Sequence, residues 1–359
     1  MLNLLDIYLI KIFLKKILIL ISIFFLLIFI LTFFEEITFF SEKSNNFYLP
    51  FFTAFLNVPT SLFEVFPFIA FIGAQLFFLE IYKKKESELI KINGKTNLFL
   101  IKIISKSAFV LGIFLIIVYY PFSSKLKYFY NDIKNNYSSD GKYLKYFSNN
   151  SLWIKDEIDG HIYIINGNLE KNDFIENIFI SKFDENFKLI ENIFSKKVDI
   201  SENVWKLQKP QIFNFKNQIL KPEIMEMKSN FNVDKINNTF SNLYSLNFFE
   251  LIKLKKENLY LGYTSEDIDL HLLKIVLLPI FLTLLVIVSS IIMLNIKKNR
   301  PYLFHVIFGI LISVIIHYSN NLFKVMGLTG KISINMSVLF PLIILLLITL
   351  IGLVRINEK

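Results

Sequence analysis

The residues best equipped for chemistry in this 359-residue chain are few and scattered. Gly94-Lys95-Thr96 matches the end of a phosphate-binding loop, in which backbone amides and a lysine hold phosphate oxygens. The full signature needs a glycine five residues before the Gly-Lys pair. Leu89 stands there, and no strand pattern leads into it, so the sequence argues against nucleotide binding by this chain. The four histidines, His161, His271, His305 and His317, show no zinc-ligand spacing. His305 and His317 are 12 residues apart, which places them about 120° apart on a helix and reads as packing or interface. The absence of cysteine excludes disulfides, thiolate catalysis and Cys-ligated metals. No Ser/His/Asp set or carboxylate pair stands out, so a non-enzymatic chain that itself holds no metal or cofactor is expected.

Two polar groupings carry more. Residues 80–96 include Lys83-Lys84-Lys85-Glu86-Ser87-Glu88-Leu89-Ile90-Lys91-Ile92-Asn93-Gly94. Leu89, Ile90 and Ile92 supply apolar positions, and Gly94 stops a short helix. Such a segment is either a solvated basic loop or a handle for a partner protein. The second grouping is His317, Ser319, Asn320 and Asn321, at the end of an apolar run. Polar groups inside a membrane span face a cavity or another helix, which marks His317, Asn320 and Asn321 as candidates for a substrate path.

The elements that position these groups follow from hydropathy. Apolar runs cover 17–34, 62–79 and 108–120, then 272–294, 303–323 and 338–354. A bilayer core of about 30 Å takes roughly 20 mostly apolar helical residues. The composition is 54% hydrophobic, with a mean hydropathy of +0.51. A six-span α-helical membrane protein is expected. Its net charge of +9 reflects topology rather than nucleic acid. Lys11, Lys15 and Lys16, then Lys83, Lys84, Lys85, Lys91 and Lys95, then Lys297, Lys298 and Arg300, and finally Arg355 and Lys359 lie on one side. Short cytoplasmic loops collect Lys and Arg, so both termini are expected in the cytoplasm and the middle of the chain across the membrane. The first run is too long for a signal peptide, and no small-residue cleavage site follows it. Pro67 and Pro279 are expected to bend their spans. The third span is read as running from near Leu98 to Pro121, with Lys102 and Lys106 snorkelling to the cytoplasmic surface. The 40 phenylalanines read as lipid-facing or core packing.

Between the two triplets of spans the period changes. Residues 123–146 suggest a helix leaving the membrane. Alternation of period two then marks strands over 152–155, 161–166, 177–183, 188–194, 204–207, 211–215 and 223–227, with breaks at Asp159-Gly160, 184–186, Pro210 and Pro222. Short strands with turns between them predict an all-β sandwich or roll ending near Asn232. A helical, amphipathic stretch over 246–258 leads back to the membrane. The expected organisation is 1–122 for spans one to three, with a cytoplasmic helix over 80–93. Residues 123–265 form the β domain with helical linkers, and 266–359 hold spans four to six.

With these elements in order, the chain resembles the LptF/LptG permease family, membrane subunits of the transporter that extracts lipopolysaccharide from the inner membrane. The resemblance rests on Asp6-Ile7-Tyr8, Val58-Pro59, Phe66-Pro67, Ile72-Gly73, Ser87-Glu88-Leu89 with Gly94, and Pro121-Phe122. It continues through Leu152-Trp153-Ile154-Lys155-Asp156, Leu278-Pro279, Gly309, Gly327 and Pro341. It implies an inner-membrane protein with a periplasmic β-jellyroll domain and a coupling helix over 80–93 seated on the ATPase LptB. Glu88 matches the family's coupling-helix glutamate, with Ser87, Leu89 and Gly94 in the same motif, and pairs with a basic residue of LptB. The implied assembly contains an LptF-like permease, two copies of LptB and an LptC-like bridge, with ATP and Mg at the ATPase. The short C-terminus and the Trp153 motif resemble LptG more than LptF. Where the family places basic residues facing lipopolysaccharide phosphates, this chain has Thr32 and Thr60, with Lys43, Lys125 or Lys324 as substitutes. The alternatives are an LptF-type paralogue, another lipid permease, or a membrane-anchored periplasmic sensor or scaffold. The last predicts no ATPase partner and no lipopolysaccharide contact within the β domain.

Overall fold

The computed structural model describes residues 3–41, 46, 48–137, 152–158, 160–169, 174–185, 187–214, 219–220, 222–231, 242–260, 264–294 and 302–357. The chain divides into two compact units, Met1–Leu126 with Glu266–Lys359, and Lys127–Ser265.

The first unit is helical. Its elements are α1 (Leu4–Phe40), α2 (Tyr48–Lys83), α3 (Glu86–Ile92), α4 (Asn97–Phe114) and the start of α5 (Tyr120–Tyr137). After the second unit come α7 (Glu266–Leu294), α8 (Tyr302–Leu328) and α9 (Ile334–Asn357). Six helical stretches are long and apolar enough to cross a bilayer, as the six apolar runs predict. Each helix outruns its apolar core, because flanking polar residues extend it beyond the hydrocarbon region. α2 is the hub: 67% of its most apolar window is buried, against 17% for α1 and for α8. Part of the phenylalanine excess zips α1 to α2. Phe13–Phe77, Phe24–Phe68, Phe25–Phe55 and Phe29–Phe51 meet edge to face at ring-centroid distances of 5.2–6.2 Å. That geometry sets positive ring edges on negative faces, and each pair contributes about 0.5–1.5 kcal/mol beyond area burial. Gly112 of α4 lies against Pro279 of α7, where a Cβ would come within 2.6 Å of the proline backbone, so only glycine permits this approach.

Pro121 does not end the helix of the third span. A π-helical turn over Leu115–Tyr119 precedes it, and the chain continues as α5 to Tyr137. The Tyr120 amide reaches back to the Leu115 carbonyl, so the ladder has already widened where proline lacks a donor. The helix proposed beyond Tyr137 lies outside the described residues.

The second unit is an antiparallel sheet flanked by helix. Its strands are β1 (Leu152–Ile158), β2 (His161–Leu169), β3 (Phe174–Phe183), β4 (Leu189–Asp199), β5 (Val204–Gln208), β6 (Gln211–Asn214), β7 (Ile219–Leu220) and β8 (Ile224–Lys228), followed by α6 (Phe248–Tyr260). The order is β1-β2-β3-β4-β5-β8, with β6 pairing β4 and β7. Strands β1 to β4 are longer than the alternation indicates. Asn177, at φ 49°, shifts the parity within β3, so that Ile175 and Ile178 both face inward. β4 spans two partners: Lys197–Asp199 pair β5, and Glu191–Phe194 pair β6. The predicted breaks at Pro210 and Pro222 stand opposite one another. β5–β6 and β7–β8 form one hairpin bent at that level, held by the Lys209 amide on the Glu223 carbonyl at 2.9 Å. Buried Ser195 donates to the Gln208 carbonyl at 2.7 Å, filling the interruption beside the proline. The inner face is filled by the chain's own side chains, among them Ile165, Ile178, Ile180, Ile193, Leu207 and Trp205. The Trp205 indole donates to the Phe231 carbonyl at 2.7 Å.

Candidate functional site

The segment between the second and third spans folds as the short helix its apolar positions and Gly94 predict. α2 ends at Lys83, and Lys85, at φ 56°, turns the chain into α3. Glu86 and Glu88 occupy the first turn, where carboxylates complement the exposed amides of the helix N-terminus. Gly94, at φ 74°, closes the helix, and the Lys95 amide reaches the Ile90 carbonyl at 3.2 Å in a Schellman-type stop. Ile90 is the anchor, 6% exposed. Leu89 and Ile92 point outward, 59% and 81% exposed, and Glu88 is exposed beside them. Ser87 is half-buried in the first turn. The two aliphatic side chains and the carboxylate of this short helix are thus uncovered in the chain itself.

This segment is tied to α1. The Tyr8 hydroxyl donates to Glu86 Oε1 at 2.8 Å. Glu80 of α2 bridges Lys16 of α1 and Lys84, the latter at 2.7 Å. The Glu80 carboxylate holds the Lys84 ammonium above the usual lysine range. The Glu80–Lys84 pair was legible as an i,i+4 spacing. The other two contacts join residues 64 and 78 positions apart in the sequence and were not.

The substrate-path candidates lie elsewhere in the helical unit. Thr32 and Thr60 are buried, and the Thr60 hydroxyl donates to the Ser123 carbonyl at 3.1 Å, which commits it to packing. Lys43 lies outside the described residues, and Lys125 is exposed on α5. On α8, His317 and Asn321 are exposed and Asn320 is half-buried. The His317 ring meets Tyr318 edge to face at 6.0 Å. Lys324 is half-buried on the same helix, and Lys274 is half-buried on α7. One turn before Lys274, buried His271 shares a hydrogen bond with Tyr120 at 3.0 Å. Sequence reading missed Lys274 because a single lysine inside a long apolar run does not interrupt it.

The arrangement contains a short helix with exposed aliphatic side chains, a hub helix with two weakly covered neighbours, half-buried lysines on α7 and α8, and a β unit. Among the described residues no cluster of side chains could hold a metal ion. No curated protein matches the chain. Residues 7–355 match the family described as lipopolysaccharide export system permease LptF/LptG. That match spans nearly every element described above, from Ile7 in the first turns of α1 to Arg355 near the end of α9. The chain belongs to the LptF/LptG family of lipopolysaccharide export permeases, multi-pass membrane subunits that are not themselves catalytic.

Proposed function

We propose that this chain is the LptG-type half of a permease pair in the inner membrane. It works with an LptF-type partner, two copies of the ATPase LptB and an LptC-like bridge protein. Both termini and α3 face the cytoplasm, and the β unit stands in the periplasm. ATP binding and hydrolysis, with Mg, take place on the partner ATPase. The observation that carries this reading is α3, with Glu88, Leu89 and Ile92 exposed between the turns at Lys85 and Gly94. A basic groove on the ATPase would take Glu88 as a charge-assisted pair, and the two aliphatic side chains would be desolvated beside it. Movement of α3 would reach α1 through Tyr8–Glu86 and Lys16–Glu80. The largely uncovered α1 and α8 would serve as the lateral gates for the lipid. Lys274 and Lys324, with Lys125, would meet lipid phosphates in place of Thr32 and Thr60, whose surroundings favour packing.

The test is Glu88→Ala in the purified complex. We expect weakened ATPase association and loss of lipopolysaccharide-stimulated hydrolysis. Full retention of both would refute the coupling assignment.

The transfer step has its own test. Ile180 and Ile165 face the interior of the β unit, Tyr163 flanks that core, and Phe179 is 41% exposed on the opposite face. Because the interior is packed at rest, passage requires the sheet to open: a photocrosslinker at Ile165 or Ile180 should capture lipopolysaccharide only during turnover, and one at Phe179 should not. Equal capture from both faces, or none from inside, would overturn passage along the inner face and favour a scaffold role.

A further inference from the structure

A groove of about 620 Å³ runs along the helical unit between α4, α7 and α9, and no residue of α1, α2 or α8 lines it. The volume falls in the range of roughly 300–1,000 Å³ that small-ligand sites occupy. One stripe of α4 forms its floor: Lys102, Ser105 and Lys106, then Phe109 and Val110 one turn on. Ile287 of α7 and Leu353 of α9 face them.

Three features of this stripe call for an anionic, chain-bearing occupant. Lys102 and Lys106 sit four residues apart on one face, both exposed. Among the described residues neither meets a carboxylate at ion-pair distance. Lys106 lies about 14 Å along the helix from Asn97, just before the apolar run that begins at residue 108, and both ammonium groups reach head-group level by snorkelling. At that level the phosphate of a neighbouring lipid is the counter-charge within reach. Ser105, between them, is 8% exposed, and its hydroxyl has no partner among the described residues. Its neighbour Ser107 shows the usual outcome for a helical serine, donating to the Ile103 carbonyl at 3.0 Å. A phosphate supplies what the lysines and the serine lack, and an acyl chain fits the apolar walls beyond.

We propose that this groove binds an anionic glycerophospholipid of the cytoplasmic leaflet, its phosphate held by Lys102, Lys106 and the Ser105 hydroxyl and one chain lying along Phe109, Val110, Ile287 and Leu353. Basic positions between spans on the cytoplasmic side recognise lipid head groups by this chemistry. The leaflet follows from the chain path, because α4 begins five residues after α3 ends. The site is separate from the lipopolysaccharide path proposed above, and its leaflet rests on the cytoplasmic placement of α3 in that reading.

The probe is phosphatidylglycerol mixed with phosphatidylcholine in nanodiscs holding the full-length protein, with retained lipid read by native mass spectrometry after detergent exchange. We expect phosphatidylglycerol to be retained in preference, and retention to fall at least fivefold in Lys102→Gln/Lys106→Gln. Val110→Trp fills the apolar wall without changing charge and should lower retention too. Lys11→Gln/Lys15→Gln removes two exposed lysines of the same spacing on α1, away from the groove, and should leave retention unchanged. Equal retention of phosphatidylcholine, equal loss in the α1 control, or undiminished retention in either groove variant would overturn the site. The last result is also what a protein partner covering this face of α4 would give.

Discussion

An Asp156→Ala chain is expected to lose the closure of its central sheet, at a cost of about 3 kcal/mol or more. Asp156 lies in β1 and is 1% exposed. Its carboxylate accepts from the Ser229 hydroxyl at 2.8 Å, the Asn230 amide at 3.0 Å and the Asn230 side chain at 2.8 Å. The Asn230 side chain also reaches the Glu157 carbonyl at 2.9 Å. β1 and β8 end the strand order, and among the described residues no ladder joins them. Asp156 therefore ties the first strand to the chain just past the last one. Alanine would remove the acceptor of the buried Ser229 hydroxyl and of the part-buried Asn230 amide, and would leave the Asn230 side chain only its Glu157 carbonyl. The same segment sets Phe231, which is fully buried and accepts from the Trp205 indole. Hydrogen exchange should show β1 and β8 losing protection first, while β3 and β4, at the middle of the sheet, keep theirs. Asp156→Asn should be milder, because one amide oxygen still accepts. Unchanged protection of β1 and β8 in the alanine variant would sink the idea.

Charging the bare face of α3 should have the largest functional effect. Leu89→Asp with Ile92→Asp should abolish copurification of the ATPase while leaving the helical unit intact. Fully burying an aliphatic side chain of this size contributes roughly 1.5–3 kcal/mol, so losing two at one interface predicts a fall in affinity of about 100-fold or more. Both side chains already point away from the fold, so the monomer loses little. Ile90→Asp is the contrasting variant, since Ile90 is the anchor and its replacement should disorder the segment. Undiminished ATPase binding in the Leu89/Ile92 variant would show that α3 is not the docking surface, whatever Glu88 does.

Much of this architecture is written locally. Six apolar runs become six long helices because a helix satisfies its own backbone wherever water is absent. Gly94 stops α3 because its neighbours require a left-handed residue there, a demand the spacing of the motif already carries. Pro210 and Pro222 were readable as breaks. That they face each other, and so bend one hairpin instead of ending two strands, follows only from the pairing of β5 with β8 and β6 with β7. Pro121 misled because a proline is read as a stop, whereas a widened turn just before it lets the helix pass.

The candidate site divides in the same way. By itself, the sequence determined the class of protein, the number of spans, the β character of the middle and the short helix that Gly94 closes. Each rests on hydropathy, period or turn chemistry within a few residues. Only the tertiary structure decided which faces matter. It placed Ile180 inside the β unit and Phe179 outside, because a bulge at Asn177 resets the alternation. It committed Thr60 to a backbone carbonyl. It bound Tyr8 to Glu86 and Lys16 to Glu80. Such partners are chosen by the packing of whole helices, and nothing in the residues beside them along the chain records which neighbour they will meet.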